Sequence, residues 1–530
     1  MNRLTSSILA LACAASAHGA EQLSRDDVNR IIAQAVQRAL EISPDSVIAV
    51  TDREGFVLGV WDVNGGSLPA LGVIAAATGR AATAAFLSSN QNAFTTRTAG
   101  WIIQQHFPPG VRNTPPGPLV GVGFSNLFFS DVNRVKQIPV GFHGSNLVPS
   151  TMSPGVREGG ASGVPFTSLQ DSPGGVPLYI NGELVGGIGV TGDGSPTDLS
   201  AAAAILARDV QKNATPGFRF GEDTDEVVAL AGQSGYRAPQ DILATNILAG
   251  GVRLPYVTPQ PENFPEEYAS EGPQHGEVVP IYPIQGSPER YPYRVETLGG
   301  VEGEIRFPFR SDPMPGKVGR ENRLTESEVR DIISAAAERA SRTRAAIRLP
   351  IGTSAKVWVS IVGNPRKAGL PPPILGVFRV GEAPIFSWDV SVQKARTAVF
   401  FSNSQLAQSS RTVGFLAQRF FPPGLDGRPF GPYFGFQEAV SLRTNPKTKS
   451  FPGNPNLPNG MTIFPGGFPL YRDKTLVGAI GVSGDGVDQD DIIAIAGAAL
   501  FPAPPKIRAD HFSYKGARLP YVKFPRDPVR

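Results

Sequence analysis

The stretch PGGVPLYINGELVGGIGVTGDG, residues 173–194, returns near the carboxyl end as PGGFPLYRDKTLVGAIGVSGDG, residues 465–486. In the first copy Asn181-Gly182 separates two apolar runs, a pattern typical of a β-hairpin with a two-residue turn. The second copy keeps both apolar runs. This stretch therefore predicts one hairpin in each half of a duplicated chain.

The glycines of the same stretch also have the spacing of a dinucleotide-binding loop. Gly187, Gly189 and Gly192 match G-x-G-x-x-G, which requires a strand before the first glycine and a helix beginning at the third. Here the glycines fall inside the second predicted strand, and the other copy has Ala479 in place of the first glycine. We therefore expect no nucleotide cofactor.

Three further blocks recur in the same order, with variable spacing between them. This arrangement is typical of two homologous domains with loop insertions, and we place them at residues 21–257 and 324–530. The joining residues 258–323 are rich in proline and aromatic residues, so we expect them to lie pinned on the domain surfaces. The blocks are LSRDDVNRIIAQAVQRA (23–39) with LTESEVRDIISAAAERA (324–340), RTAGWIIQQHFPPG (97–110) with RTVGFLAQRFFPPG (411–424), and VRLPYV (252–257) with ARLPYV (517–522).

Each repeat predicts the order helix, two strands, helices, two strands, helix. Apolar residues recur at helical spacing in residues 23–39, and Ser24 with Asp27 three positions later is typical of a helix start. Next come SVIAVTD and FVLGVWDV joined through Glu54-Gly55, then a helix at GRAATAAFLSS. A second helix is expected to end at Phe-Pro-Pro-Gly, since proline cannot continue it. Hairpins without strand–helix–strand crossovers predict an α+β fold, with an antiparallel sheet flanked by helices in each of two tandem domains.

Residues 1–20 have the basic start, apolar run and small residues of a secretory signal peptide. The one cysteine of the chain, Cys13, lies inside this leader, and the preceding Ala10-Leu11-Ala12 matches a lipoprotein box poorly. We therefore expect no lipid anchor, no disulfide and no thiolate metal site in the mature chain. No run of about 20 apolar residues follows. The sequence predicts a periplasmic or secreted protein without a membrane-spanning segment.

Size and charge limit the classes of partner. A chain of 530 residues exceeds one ordinary core, which agrees with two domains. The formal net charge is +3, only 18% of residues are charged, and no Lys/Arg block stands out. Such a balance does not favour nucleic acid or an anionic membrane surface as a partner.

The last repeated blocks resemble those of a known family. GG-x-PLY…LVGAIGVSGDG…DQDD-I-x-AIAG, within residues 466–497, is similar to the carboxyl-terminal signature of the HbpS-like haem-binding family, which includes the GlcG proteins and the PduO carboxyl-terminal domain. VTDREGFVLGVWDVNGG (50–66) is similar to the Asp-x-x-Gly hairpin of that family, and QKARTAVFF (393–401) to its Lys-Ala-x-Thr-Ala helix. The second repeat lacks the hairpin motif. The resemblance implies a profilin/PAS-like domain, usually oligomeric, that binds haem or another tetrapyrrole.

Haem binding requires an apolar slot, cations for the propionates and an axial ligand. Two pairs of cations recur between the repeats, Arg80 with Lys394 and Arg97 with Arg411. If the chain binds haem as the resemblance implies, these four side chains are candidate propionate contacts. Pairing with nearby acids or helix capping is the alternative interpretation.

Two further recurring pairs belong to the candidate site. Tyr179 and Tyr471 recur, and tyrosinate can ligate haem iron; a core aromatic ring with a satisfied hydroxyl is the alternative. Gly189 and Gly481 mark where another backbone or a flat ligand can approach a strand closely. The haem hypothesis therefore includes both pairs.

Metal-ligating residues are sparse, and no histidine recurs in both repeats. His106 aligns with Phe420, so any histidine ligation is confined to one repeat. Asp485, Asp488 and Asp490 open the closing helix of the second repeat, where helix capping accounts for acidic residues equally well. We keep His106 and these three aspartates as weak metal candidates.

These patterns favour a binding protein over a catalyst, because the chain has neither a G-x-S-x-G elbow nor a His-Glu-x-x-His helix. We predict an exported haem-binding protein for storage, scavenging or degradation of haem. Its two domains would pack as an internal pseudo-dimer, with further homo-oligomerisation left open. One alternative is an enzyme or sensor that binds a small glycolate-like carboxylate through the recurring arginines. Another is a scaffold that binds no ligand.

Overall fold

Both repeats can be followed in the structure, which is a computed structural model. The predicted leader and His106 lie outside its described residues, as do residues 120–169. The described residues are 21–69, 71–103, 107–109, 111, 113–115, 117–119, 170, 172–192, 223–258, 272–280, 282–287, 294–345, 353–365, 372–436 and 461–523.

The helices and strands follow the predicted order in each repeat. In the described part of the first repeat they are α1 (Arg25–Ile42), β1 (Val47–Asp52), β2 (Val57–Asp62), α2 (Leu71–Leu87), α3 (Thr96–Ile102), β3 (Gly175–Ile180), β4 (Glu183–Thr191), α4 (Thr224–Gly232), β5 (Leu248–Ala249) and β6 (Val252–Arg253). The joining segment contains β7 (Glu277–Val278), β8 (Arg294–Leu298) and β9 (Val301–Phe307). The second repeat contains α5 (Glu326–Ser341), β10 (Trp358–Gly363), β11 (Ile374–Val380), α6 (Phe386–Phe400), α7 (Ser410–Leu416), β12 (Gly467–Arg472), β13 (Thr475–Ser483), α8 (Val487–Ala498), β14 (Ser513–Tyr514) and β15 (Ala517–Arg518).

Each repeat builds one main antiparallel sheet and a separate two-stranded one, β5-β6 or β14-β15, which confirms the predicted α+β fold. The strand orders are β3-β4-β1-β2-β7 and β12-β13-β10-β11-β9-β8. The central pairing has the same register in both repeats, with Val50 opposite Ile188 and Ile361 opposite Ile480. The quoted stretch therefore supplies the edge strand and its neighbour in each sheet.

Local sequence accounts for the first helix and the predicted turn. The Ser24 hydroxyl accepts a hydrogen bond from the Asp27 amide, and the Asp27 carboxylate accepts one from the Ser24 amide at 2.8 Å. This reciprocal pair satisfies two amides that the helix start would otherwise leave without partners. Asn181 and Gly182 both have positive φ, 51° and 81°, as a type I′ hairpin turn requires.

The joining segment contributes strands to both sheets. β7 pairs with β2 of the first repeat, through Val278 opposite Trp61. β9 pairs with β11 of the second repeat and β8 pairs with β9. The sheet of the second repeat therefore extends into the residues assigned above to a linker.

One helix end differs from the prediction. We expected the helix to reach Phe-Pro-Pro-Gly, but α7 ends at Leu416, ahead of Phe421 and Pro422. The Leu416 carbonyl accepts a hydrogen bond from the Tyr433 amide at 3.1 Å. The loop that carries Tyr433 therefore satisfies the carbonyl to which an amide of the next helical turn would have donated. A distant segment rather than proline terminates this helix.

The two repeats share a buried apolar cluster. Phe86, Phe94 and Ile102 of the first repeat belong to the same cluster as Phe386 and Trp388 of the second. Burial of large apolar side chains is the main favourable term in such packing. Both repeats therefore pack against each other within one chain.

Ion pairs near this cluster tie the first repeat to the second repeat and to β9 of the joining segment. Arg53 lies 2.7 Å from the Glu382 carboxylate, and Arg306 lies 2.7 Å from that of Glu54. The Arg306 guanidinium also lies over the stacked rings of Trp358 and Trp388, at 5.3 and 5.2 Å from their centroids. The turn after β1, which carries the Asp-x-x-Gly residues, is thereby tied to the second repeat. Among the described residues, no helix has the length and apolar character needed to cross a membrane.

Candidate functional site

A cavity of about 790 Å³ on the second repeat is the candidate site. One wall consists of α7 and the residues before β12, and the opposite wall consists of β15 and the residues that follow it. Gly117 and Pro118 of the first repeat close one side. Apolar lining comes chiefly from Phe415, Phe464, Leu519 and Val522.

Four cationic side chains line the same cavity, namely Arg411, Arg508, Arg518 and Lys523. Arg518 is exposed, and the part of the chain that the structure describes offers its guanidinium no carboxylate partner; its Nε donates to a backbone carbonyl. Arg508 is paired with Asp510 at 2.6 Å. The cavity thus combines an apolar wall with cations that can recognise carboxylates.

Arg411 and Lys523 converge on the acids of α8. Arg411 donates from Nε to Asp491 and from Nη2 to Asp488, both at 2.7 Å, and Lys523 Nζ lies 2.7 Å from the other oxygen of Asp488. Burial alone would lower the pKa of Arg411, but the carboxylates of Asp491 and Asp488 raise it above its usual value. Arg411 therefore stays cationic throughout the working pH range.

Asp488 should contribute to stability in a pH-dependent way. Burial would raise its pKa, but hydrogen bonds and charges from Lys523 and Arg411 hold the pKa below its usual value. The stabilisation that ionised Asp488 gives to the folded state is therefore complete above its pKa in the unfolded state, about 3.9. It is lost as the pH falls through the lower pKa that Asp488 has in the folded state. Asp488→Asn should lower the urea midpoint at about pH 6 and by less at about pH 3, with a small effect because the side chain is 41% exposed. An equal loss at both pH values would contradict this assignment.

The first pair of predicted cations is buried on carboxylates. Arg80 Nη1 lies 2.6 Å from Asp225, and Lys394 Nζ lies 2.7 Å from Asp490. Lys394 and Asp490 line a pocket of about 20 Å³ between the repeats, room for about one water molecule. Pairing with acids, the alternative considered from sequence, is thus what the structure contains, and a ligand contact for Arg80 and Lys394 stays a prediction.

The second pair differs between the repeats. Arg97 is only 3% exposed and donates from Nε and Nη2 to the two oxygens of Glu226, at 2.8 and 3.0 Å. Arg411 makes the corresponding contacts but is 17% exposed and lines the cavity. Of the four predicted cations, the structure places Arg411 in the wall of the large cavity.

The predicted tyrosines lie in the cores. Tyr179 donates its hydroxyl hydrogen to the Ser89 carbonyl at 2.9 Å, and Tyr471 donates to the Asn403 carbonyl at 2.8 Å. Burial raises the pKa of both hydroxyls, so each is a neutral phenol. Both side chains thus match the alternative considered from sequence, a core aromatic ring whose hydroxyl has a hydrogen-bond partner. Iron ligation by Tyr179 or Tyr471 stays a prediction.

The paired glycines lie against helix backbone. A side chain at Gly189 would collide with the carbonyl of Ala77 in α2, and one at Gly481 with the carbonyl of Ser391 in α6. From sequence we considered another backbone or a flat ligand beside these glycines, and the structure contains another backbone. A ligand contact for Gly189 and Gly481 stays a prediction.

The weak metal candidates do not converge in the described residues. Asp488 is paired with Arg411 and Lys523, and Asp490 with Lys394. Asp485 is 2% exposed and lies at the pocket between the repeats. Within the described ranges, no three His, Cys, Asp or Glu side chains form a group suited to a metal ion.

Sequence reasoning missed several residues of the large cavity. Arg508 and Lys523 correspond to Leu243 and Thr258 in the first repeat, so a search for recurring residues passes over them. Arg518 does recur, in the quoted ARLPYV block. Arg508 and Lys523 could have been found by a search for cations that are present in one repeat and absent from the other.

Comparison with known protein families gives a match to a family model. The model of the HbpS-like family, described as haem degrading protein HbpS-like, matches residues 23–207 and 372–499. The two segments together make up more than half of the chain, and each contains one of the repeats in large part. A search of curated proteins gives no significant match.

Three solved structures are similar to parts of the chain. A crystal structure of a PduOC–haem complex is 23% identical and covers 34% of this chain and 97% of its own, with a TM-score of 0.23. Protein ORFY of Klebsiella pneumoniae is 21% identical and covers 36% of this chain and 99% of its own, with a TM-score of 0.23. HbpS is 20% identical and covers 35% of this chain and 96% of its own, with a TM-score of 0.22.

Proposed function

Because the chain belongs to the HbpS-like family, we propose that it binds haem and that the cavity of the second repeat is the binding site. One observation carries the location, namely the apolar wall and four cations that line a single cavity of about 790 Å³. Ligand pockets for molecules of this size class measure about 300–1,000 Å³. A small glycolate-like acid would leave most of this volume to water.

The residues present fit the macrocycle and the propionates of haem, while the described lining of the cavity contains no histidine, cysteine or methionine as an axial ligand. Phe415, Phe464 and Leu519 offer apolar surface to the macrocycle, while Arg518, which has no carboxylate partner among the described residues, is placed to hold a propionate. Bidentate guanidinium–carboxylate contacts are among the stronger hydrogen bonds in proteins. Haem bound there would supply iron chemistry, and the surrounding residues would bind it, orient it and limit its contact with water.

A titration of the purified chain with hemin, followed by the Soret band, tests this proposal. We expect saturable binding and an affinity about threefold to tenfold lower in Arg518→Leu, since one charge-assisted contact is lost. The matched control is Arg253→Leu, at the corresponding exposed position of the first repeat, which should bind like the parent chain. Absence of saturable binding, or an equal loss in both variants, would contradict the proposal.

We further propose that the chain is exported, on the strength of the leader-like residues 1–20. Expression with these residues, fractionation of the cells and mass determination of the recovered chain test this. Export predicts a chain in the periplasm or medium that starts near residue 18 or 21. A full-length chain confined to the cytoplasm would count against it.

A further inference from the structure

Strand β8 forms an open edge of the second sheet. Among the described residues its strand partner is β9, on one side. A two-residue turn, Gly299-Gly300 with φ of 58° and 75°, joins the two strands and makes Leu298 and Val301 a hydrogen-bonded pair. Such pairs alternate along an antiparallel ladder, so the backbone amides and carbonyls of Val295 and Thr297 point away from β9.

These outward groups are open to another strand. In the part of the chain that the structure describes, the amides of Val295 and Thr297 have no hydrogen-bond acceptor, and the Val295 side chain is 58% exposed. An exposed edge with unpaired backbone groups is a template for pairing with a further strand. β8 lies outside residues 23–207 and 372–499, so this edge does not belong to the segments that the family model matches.

The charges of β8 favour a second copy of the same strand as the partner. Arg294 and Glu296 lie on one face of the strand, with Arg294 73% exposed and its Nη2 3.5 Å from Glu296 Oε2. Arg330 of α5 donates to the other oxygen of Glu296, and Oε2 accepts no hydrogen bond within the described ranges. Each copy thus offers an exposed cation and a carboxylate oxygen without a hydrogen bond.

One register of self-pairing brings these groups together. If Val295 lies opposite Val295 of a second, antiparallel copy, Arg294 of each copy lies directly opposite Glu296 of the other, on the same face of the sheet. Opposite charges at such positions are stabilising. Centring the pairing on Arg294 or on Glu296 instead places like charges directly opposite each other, which is destabilising. The sequence of β8 therefore favours the register centred on Val295.

We propose that two copies of this chain associate through β8, antiparallel and centred on Val295, so that the sheets of their second repeats become one continuous sheet. The contact adds two backbone hydrogen bonds between the two Val295 residues and two Arg294–Glu296 pairs. Because the paired segment is short, the dimer is a weak, concentration-dependent one. The association is separate from haem binding and does not depend on it.

Sedimentation equilibrium of the full chain without hemin, from about 1 to 300 µM, tests the proposal. We expect a reversible equilibrium between one chain and two. Val295→Pro removes both amide donors of the central pair and leaves the ladder with β9 intact, because this amide points away from β9. It should weaken the dimer about tenfold or more. Val295→Thr keeps the amide and should associate like the parent chain.

A charge exchange tests the register. Arg294→Glu and Glu296→Arg each place like charges opposite each other, so either variant alone should associate about tenfold more weakly than the parent chain. An equimolar mixture of the two variants should recover the dimer, because every cross-strand pair then joins opposite charges. Arg320→Glu, at an exposed arginine outside β8, is the matched control and should associate like the parent chain.

Three results would overturn the inference. They are a parent chain that stays monomeric at every concentration, a dimer that Val295→Pro does not weaken, and a mixture of the two charge variants that does not recover the dimer. Thermal unfolding of each variant, followed by circular dichroism, verifies that it folds. The hemin titration tests the proposed function independently, so either proposal can fail without the other.

Discussion

Replacing Lys394 by methionine should lower the free energy of unfolding by about 3–5 kcal/mol, because it leaves a carboxylate buried without its cation. The side chains of Lys394 and Asp490 are 1% and 3% exposed, and Nζ lies 2.7 Å from the carboxylate. Nζ also donates to the Val482 carbonyl at 2.8 Å, which ties α6 to β13. Urea unfolding of the variant and the parent chain measures the loss.

A double variant identifies the cause of that loss. Lys394→Met with Asp490→Leu removes both charges, so it should recover much of the stability, as replacement of whole buried ion pairs often does. Lys506→Met, at an exposed lysine, is the control and should change stability little. If Lys394 instead serves mainly to hold a propionate, the single variant would lose haem affinity while its stability stays near that of the parent. That result would contradict the structural role.

Replacing Gly481 by alanine should destabilise the second repeat by about 3 kcal/mol or more, at the upper end of overpacking effects. The added Cβ would collide with the Ser391 carbonyl and lie 2.7 Å from the Ala395 amide nitrogen, both backbone atoms of α6. Backbone atoms of a helix cannot rotate away as a side chain can. An alanine in a strand gains up to about 1 kcal/mol over glycine from chain entropy, which is too little to offset the collision.

The control for this prediction lies two residues earlier in the same strand. Ala479 occupies the position of Gly187 in the first repeat, and the second repeat accommodates its methyl group at 0% exposure. Ala479→Gly should therefore lower the free energy of unfolding by only about 1 kcal/mol. Equal stability of Gly481→Ala and the parent chain would mean that α6 does not approach β13 as closely as described.

The hairpins and capped helices could be predicted from sequence because their causes are local. Asn181-Gly182 specifies its own turn, and Ser24 with Asp27 specifies its own helix start. The duplication then strengthened each assignment, since two divergent copies give the same pattern. The helix α7 was the exception, because its end depends on Tyr433, which is distant in the chain.

The candidate site could be predicted only in part, because its contacts join residues far apart in sequence. Recurrence identified Arg411, but it equally identified Lys394, which is buried on Asp490. Arg508 and Lys523 do not recur, so the comparison of repeats could not find them. A cationic residue in the sequence does not indicate whether its side chain will pair with an acidic residue or contact a ligand.

The sequence by itself determined the duplicated α+β architecture, since apolar periodicity, turn residues and caps act within a few positions. Only the tertiary structure decided the role of the glycines in VGAIGVSGDG, which depends on α6 lying against their strand. It likewise decided which cations are neutralised and which line the cavity. The physical reason is that burial and charge pairing depend on neighbours brought together by folding, often about a hundred residues apart, as Lys394 and Asp490 are.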